Sequence, residues 1–197
     1  MSLSPTREPP SLPNSPLKML DGPNLKRVDY LPWDDYFMAS AILAAERSKD
    51  PTTQVGCVIV DADNKIIGTG YNGMPLGCHD DTMPWGKGNA DPLMNKHTFV
   101  VHAEQNAILN SIGKITGCRL YTKLFPCNDC AKLIVQSKIS EVIYMLDRES
   151  WEMEAARVLF KRVGIKFRHF KTQKKAVTIH FDRACYENDA KFDKQDA

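Results

Sequence analysis

The chain has 197 residues, a formal net charge of +2 and 43% hydrophobic residues. This length and composition indicate one globular domain with room for terminal tails. The mild charge gives no strong electrostatic case for binding a nucleic-acid polymer, which normally needs a concentrated basic face. No apolar run approaches the about 20 residues of a membrane span, and the N-terminus lacks the apolar core of a secretory signal. We therefore expect a cytoplasmic protein without a membrane partner, whose six cysteines are reduced.

Composition divides the chain into three segments. Residues 1–29 are rich in proline and serine and cannot bury enough apolar area to order themselves, so they predict a disordered tail. Residues 30–183 carry periodic apolar patterns and predict the folded domain. Residues 184–197 are polar and predict a C-terminal tail.

The folded domain begins with a predicted helix and a predicted hairpin. The helix ends before Pro51, since the residue preceding a proline disfavours the helical conformation. Its apolar positions recur at helical spacing: Trp33, Phe37, Met38, Ala41, Ile42 and Ala45. Two β-branched runs, 54–60 and 65–70, follow with a polar turn between them, and they predict an antiparallel hairpin.

A long irregular segment, 71–101, separates the hairpin from the second half of the domain. Connections of this length are uncommon in compact domains unless they serve a function. Helices and strands then alternate, which predicts an α/β fold whose sheet is mixed but largely parallel, with helices on both faces. The predicted elements are helices at 101–112, 127–137 and 151–163, and strands at 118–122, 141–146, 165–169 and 176–181.

Two short motifs at the starts of predicted helices carry candidate chemistry. One contains His102 and Glu104, and the other contains Cys127 and Cys130. One histidine and two thiolates can hold a zinc ion and leave its fourth position open to water. Residues two apart on a helix point in different directions, so Glu104 is a poor co-ligand of His102. Glu104 is instead predicted to move the proton of that water as a general acid–base.

Each motif alone has plainer interpretations. His-x-Glu occurs on many helices, and Cys-x-x-Cys also occurs in structural zinc sites and redox pairs. In this order, however, the two motifs match the known signature of zinc-dependent nucleobase deaminases. A second zinc site built from Cys78, His79 and His97 is an open alternative, although loop histidines and cysteines usually do not form one.

The sequence resembles the deoxycytidylate (dCMP) deaminases of the cytidine deaminase-like superfamily over about residues 30–182. The shared segments are Arg-Ser-Lys-Asp-Pro at 47–51, Gln-Val-Gly at 54–56, Gly-Tyr-Asn-Gly-Met-Pro at 70–75, His-Ala-Glu at 102–104 and the run from Leu124 to Ile134. The resemblance implies a three-layer α/β/α fold and a homohexamer. It also implies hydrolysis of dCMP to dUMP and ammonia for thymidylate synthesis, with dCTP as activator and dTTP as inhibitor.

The same resemblance assigns roles to residues of the two motifs. It implies that His102, Cys127 and Cys130 are the zinc ligands and that Glu104 is the proton shuttle. In such enzymes a zinc-activated water attacks C4 of cytosine while the glutamate acts as general acid and base.

Five further residues are candidates for binding substrate or effector. The backbone N–H of Ala103 resembles the family's contact to the base carbonyl, and Asn72 resembles its contact to the sugar. Phe125 is a candidate to pack against the base, with a place in the core as the alternative. Lys49 is a candidate cation for the phosphate. Gly73 lies in the loop after Asn72, which has the backbone freedom to bind a nucleotide.

Other function classes remain open at this stage. Deaminases of free cytidine or deoxycytidine and of tRNA adenosine share the zinc motif. The long segment 71–101 argues against a nucleoside, and the near-neutral charge argues against RNA. A catalytically silent zinc- or nucleotide-binding partner subunit is a third class. The presence of Glu104 argues against it, because a structural zinc site does not need this carboxylate.

Overall fold

The computed structural model describes residues 25–88 and 90–181. The predicted C-terminal tail and most of the predicted N-terminal tail lie outside the described residues. The chain divides into two units between Tyr30 and Leu31. All the helices and strands below belong to the second unit.

The described part of this unit contains four α-helices and five strands. In chain order they are α1 Trp33–Ala45, β1 Gly56–Val60, β2 Ile66–Tyr71, α2 Ala103–Leu109, β3 Arg119–Leu124, α3 Asn128–Gln136, β4 Glu141–Leu146, α4 Trp151–Val163 and β5 Lys166–His169. Two short 3-10 helices, Pro92–Met94 and Lys96–Thr98, interrupt the connection before α2. No helix within the described ranges combines the length and the apolar character needed to cross a bilayer.

The five strands form one mixed sheet in the order β2-β1-β3-β4-β5. β1 pairs antiparallel with both β2 and β3, whereas β3, β4 and β5 run parallel to one another. Because α2 is a crossover from β2 to β3, these two strands run parallel. β3 lies on the other side of β1 and therefore runs antiparallel to it. The predicted mixed sheet is confirmed, and this pairing is an antiparallel contact that the hairpin alone did not predict.

Helices cover both faces of the sheet, so the predicted three-layer α/β/α fold is confirmed. The face under α1 buries one core: Phe37, Met38, Ala41, Val58, Val60, Tyr121, Ile143 and Phe170. The opposite face buries a core shared with α2, α3 and α4 that includes Cys57, Ile59, Ala107, Leu120, Ile134, Val142 and Phe160. Alternate residues of β1 enter opposite cores, which explains why all five of its residues are buried.

Two glycines let helices lie directly on the sheet. A Cβ at Gly70 would lie 2.3 Å from both the carbonyl oxygen of Ala103 and the amide nitrogen of Ala107. At Gly56, a Cβ would lie 2.0 Å from the carbonyl oxygen of Ala41. No side chain fits at these separations, so glycine is needed where the backbones approach most closely. Gly70 thereby fixes the position of α2, whose start carries one of the two metal motifs.

Helix boundaries agree with the sequence where local capping signals are strong. α4 has its predicted bounds, because Ser150 accepts a hydrogen bond from the Met153 amide at 3.4 Å and Gly164 ends the helix at φ 76°. α2 is shorter than the predicted 101–112. Val101 is held in a β-bridge with Gly73 instead of beginning the helix.

The predicted strand at 176–181 is wrong. The described residues after His169 form no strand. Val177, Ile179 and Phe181 give this segment its alternating apolar pattern, but they are 45%, 51% and 95% exposed. Alternation alone does not show whether a neighbouring strand is available for pairing, so the pattern misled the prediction.

Candidate active site

The two metal motifs meet at the starts of neighbouring helices. His102 immediately precedes α2, Cys127 immediately precedes α3, and Cys130 lies in the first turn of α3. The Nδ1 atom of His102 lies 3.4 Å from the Sγ atoms of both cysteines. In a tetrahedral zinc site, the usual bond lengths separate a nitrogen and a sulfur ligand by about 3.6 Å. The three donor atoms therefore fit one zinc ion and leave a fourth coordination position.

Within residues 25–88 and 90–181, this is the only group of three or more His, Cys, Asp or Glu side chains that could hold a metal ion. Cys78 and His79 are exposed. The alternative of a second zinc site at Cys78, His79 and His97 is therefore not supported in the described part of the chain.

Hydrogen bonds within the cluster favour the zinc-binding form of Cys127. A hydrogen bond from Cys130 lowers the pKa of Cys127 to about 4, with a further contribution from His102, although burial opposes the shift. The hydrogen bond to Cys127 in turn raises the pKa of His102. The positive end of the α3 dipole also favours a thiolate at this position. These contributions favour the thiolate of Cys127, which is the form that binds metal.

Glu104 lies beside this cluster and is only 4% exposed. Its Oε2 atom is 3.4 Å from Sγ of Cys130, and its Oε1 atom accepts a hydrogen bond from Oγ1 of Thr122 at 2.9 Å. Burial raises the pKa of Glu104. A carboxyl group with a raised pKa is suited to exchange protons near neutral pH.

A cavity of about 520 Å³ opens over the cluster. This volume lies within the range of pockets that bind small ligands. Seven candidate residues named from the sequence line it: Asn72, His97, His102, Ala103, Glu104, Phe125 and Cys127. As the first residue of α2, Ala103 has a backbone N–H without a partner inside the helix. Cys130 is fully buried beside the cavity.

Two predicted binding residues, Lys49 and Gly73, are not part of the cavity lining. The Lys49 side chain is 60% exposed and forms an ion pair with Asp80. Gly73 exchanges two backbone hydrogen bonds with Val101, at 3.1 and 2.9 Å. Gly73 therefore joins the start of the long connection, 71–101, to its end through backbone hydrogen bonds.

Asn72 uses its side chain to fix the cavity wall. Its Oδ1 atom accepts a hydrogen bond from the amide of Val55 at 2.8 Å. Its Nδ2 atom donates to the carbonyl oxygen of Thr53 at 3.0 Å and to Asp50 at 3.3 Å. Both amide hydrogens are therefore engaged, and the second lone pair of Oδ1 is what the side chain can still offer to a ligand.

Phe125 belongs mainly to the hydrophobic core. It is 1% exposed, and its ring centroid lies 4.7 Å from that of Tyr144 and 5.8 Å from that of Phe167. The guanidinium of Arg157 covers the ring at 4.5 Å. Phe125 thus forms the base of the cavity as a packed core residue.

Sequence reasoning missed the buried ion pair of Asp50 and Lys96 in the cavity wall. Both side chains are 3% exposed, and Nζ of Lys96 donates to both carboxylate oxygens at 2.6 Å. Burial raises the pKa of Asp50, but the hydrogen bonds from Lys96 and from the Thr52 and Thr53 amides outweigh it, so the pKa is lowered. The two residues are 46 positions apart, and neither has a local motif that could have revealed the pair.

Replacing Lys96 with methionine is expected to destabilise the protein by about 3–5 kcal/mol, because it leaves the Asp50 carboxylate buried without its cation. In the wild type, a carboxylate with a lowered pKa stabilises the fold above its unfolded-state pKa of about 3.9. That stabilisation is lost as the pH falls through the lower folded-state pKa. Urea unfolding followed by circular dichroism at pH 7 measures the change.

The matched control is Lys49→Met, which removes the exposed ion pair with Asp80. It should lower the midpoint of unfolding far less than Lys96→Met, since exposed pairs contribute little. Equal midpoints for the two variants would contradict the stabilising role of the buried pair.

The cavity also contains two cations that sequence reasoning did not single out, Lys87 and Arg148. Arg148 follows the carboxyl end of β4 and donates to Oγ1 of Thr53 at 3.3 Å. Ligands of α/β proteins bind at this edge of the sheet, so the position just after a predicted parallel strand was a usable signal. Lys87 lies within the long connection, where no pattern distinguished it.

A mixed sheet between two helical layers, with a His-Cys-Cys cluster and a buried glutamate at two helix starts, defines the cytidine deaminase class of proteins. The chain belongs to this family: residues 31–146 match the model of the cytidine and deoxycytidylate deaminase zinc-binding region. This membership confirms the resemblance seen in the sequence.

Individual relatives agree with the family assignment. The chain is 52% identical over 160 residues to the deoxycytidylate deaminases of Mus musculus and Homo sapiens, covering 80% of this chain and 90% of each relative. It is also similar to the crystal structure of dCMP deaminase from the cyanophage S-TIM5 in complex with dCMP and dUMP. That similarity has a TM-score of 0.55 and 27% sequence identity, and it covers 68% of this chain and 94% of the other.

Proposed function

We propose that the domain at residues 30–183 is a zinc-dependent hydrolase that converts dCMP and water to dUMP and ammonia. The observation that carries this proposal is the buried carboxyl group of Glu104 beside a three-donor metal cluster, at the base of a ligand-sized cavity. A purely structural zinc site uses four protein ligands and has no need of this group. The relatives named deoxycytidylate deaminase support dCMP as the substrate.

The residues of the cluster divide the chemical work. His102, Cys127 and Cys130 would hold the zinc ion, which when bound supplies Lewis-acid activation of a water molecule. Glu104 takes a proton from the water that attacks C4 of cytosine and passes it to N3. It then takes the second proton from the hydroxyl group now bonded to C4 and delivers it to the amino group, which leaves as ammonia as the C4–N bond breaks and the C4 carbonyl forms. The free N–H of Ala103 donates to the carbonyl oxygen of the base.

The side chain of Asn72 can only accept a hydrogen bond from the sugar. Since both hydrogens of its side-chain amide are engaged in the cavity wall, the remaining capacity is the second lone pair of Oδ1. We infer that Asn72 accepts a hydrogen bond from a sugar hydroxyl and does not donate one.

Two cations in the cavity are better placed to bind the substrate phosphate than Lys49, which lies outside the cavity lining. Lys87 and Arg148 line the cavity, and so does Ser150, which caps the start of α4. The free N–H groups and the positive dipole at a helix start favour an anion, and arginine binds phosphate oxygens in a bidentate manner. We therefore assign the 5′-phosphate to the side of the cavity between Arg148 and the start of α4.

Ammonia release by zinc-loaded protein offered dCMP, CMP, deoxycytidine, cytidine and tRNA side by side tests the substrate. We expect strong turnover of dCMP alone. Turnover of deoxycytidine or cytidine instead would indicate a nucleoside deaminase, and activity on tRNA adenosine would indicate an RNA-editing enzyme. Full zinc content without turnover of any of these would favour a silent partner subunit.

Arg148→Met should raise the KM for dCMP roughly 10- to 100-fold, which corresponds to the loss of a hydrogen bond to a charged group. Lys49→Met is the comparison, because it removes the cation predicted from the sequence. A larger KM increase in the Lys49 variant than in the Arg148 variant would overturn the assignment of the phosphate side.

We further propose, on the family resemblance, a homohexamer that supplies dUMP for thymidylate synthesis and is activated by dCTP and inhibited by dTTP. Light scattering and dCMP saturation curves with each nucleotide added to the same assay test these points. The five cysteines in the described ranges are unpaired, which supports a reducing compartment such as the cytoplasm.

A further inference from the structure

We infer that Thr122 is a positioning residue that fixes the carboxyl group of Glu104 for proton transfer. This inference rests on the proposed function, since it presumes that Glu104 is the acid–base. Thr122 lies in β3 and is completely buried. Its Oγ1 atom is 2.9 Å from Oε1 of Glu104 and 3.1 Å from the carbonyl oxygen of Leu124.

A polar hydroxyl group is unexpected at the fully buried position of Thr122 unless it has a function. It lies in the middle of the sheet, paired with Cys57 of β1 on one side and Tyr144 of β4 on the other. A hydroxyl in such a core costs free energy unless it is hydrogen-bonded, and valine has nearly the same shape and a strong preference for strands. Threonine therefore offers two contacts that valine lacks at this position, one to the Leu124 carbonyl oxygen and one to Glu104, and only the second reaches a catalytic group.

Thr122 is also a rigid point of attachment. Hydrogen bonds to strands on both sides fix its backbone, and its branched Cβ restricts rotation of the side chain. The carboxyl group of Glu104, by contrast, ends a long side chain with several rotatable bonds. A hydrogen bond to a fixed hydroxyl removes much of this freedom.

The bond also separates the roles of the two carboxyl oxygens. Thr122 engages Oε1, whereas Oε2 lies 3.4 Å from Sγ of Cys130 and so faces the metal cluster. A hydroxyl can donate to a carboxylate oxygen or accept from a carboxylic acid, so the contact persists whether or not Glu104 carries a proton. Thr122 itself gains and loses no proton in the reaction. It keeps Oε2 directed at the place where water is activated.

Two substitutions with opposite expectations test the inference. Thr122→Val keeps the shape and removes the hydroxyl, so it should lower kcat about 10- to 100-fold, the scale expected for a misplaced catalytic group. The KM for dCMP, the zinc content and the melting temperature should change little. Thr122→Ser keeps the hydroxyl and loses the methyl group, so it should recover most of kcat. A residue needed only for packing would show the reverse order, with an active valine variant and a weakened serine variant.

A matched control and a readout independent of activity complete the test. Thr69→Val makes the same change at an exposed position of β2 and should leave kcat unchanged. Crystal structures should show the Glu104 carboxyl group displaced in Thr122→Val and in its wild-type place in Thr122→Ser. Wild-type kcat in Thr122→Val, or an unmoved Glu104, would overturn the inference. If the wild-type protein turns over no cytosine nucleotide, the proposed function fails, and the position of Glu104 in the two structures still decides the role of Thr122.

Discussion

Replacing Glu104 with glutamine is expected to remove nearly all turnover of dCMP while leaving the zinc content unchanged. Positioned general acid–base groups contribute about 10²- to 10⁴-fold to a rate, and Glu104 is proposed to act at several proton transfers of one reaction. We therefore expect kcat to fall by about 10⁴-fold, at the upper end of that range. Steady-state ammonia release and metal analysis of the same preparation measure both quantities.

Glutamine is the informative substitution because it retains the size of the side chain. Its amide can still bond to the fixed hydroxyl of Thr122, so the cavity and the His-Cys-Cys cluster should keep their shape. What it lacks is a group that takes up and releases a proton. Glu46→Gln, at an exposed position just after α1, makes the same change away from the cavity and should retain wild-type kcat. A Glu104→Gln enzyme with normal kcat would refute the assigned mechanism.

Replacing Cys127 with serine is expected to abolish zinc binding and, with it, turnover. The neutral serine hydroxyl is a far weaker zinc ligand than a thiolate, and two remaining donors do not form a stable site. Metal analysis should show a fall from about one zinc ion per chain to almost none. The melting temperature should also fall, because the ion joins the starts of α2 and α3.

The control for this experiment is Cys78→Ser, which changes an exposed thiol. It should retain both zinc and activity. Removing zinc with a chelator and adding it back should restore the wild type and Cys78→Ser, but not Cys127→Ser. Stoichiometric zinc with activity in Cys127→Ser would show that the cluster is not the metal site.

The fold was predictable wherever information is local. The predicted bounds of α4 are correct, and they lie between two local capping residues, Ser150 and Gly164. The β-branched runs around a polar turn gave the hairpin. The antiparallel pairing of β1 with β3 and the missing strand at 176–181 depended on which strands become neighbours, and periodicity within one segment does not contain that information.

In the candidate site, too, residues in local motifs were predictable and residues brought together by long-range packing were not. His102, Cys127 and Cys130 could be grouped in advance because each motif is only a few residues long and zinc has a narrow choice of ligands. Asp50 and Lys96 could not, since their contact arises from packing between segments far apart in the chain. Thr122 is recognisable only once the strand that carries it is seen to face α2.

The paired hydrogen bonds between Gly73 and Val101 have a consequence for how this enzyme family can diversify. The chain leaves the domain after β2 and returns to it at the same point, one residue before His102. Insertions or deletions in the exposed parts of this loop, away from the buried Lys96, are absorbed by it, because closure entropy grows only slowly with loop length. Selection or design can alter its length and composition, and with them the ligand preference of the cavity rim, while the metal cluster keeps its register.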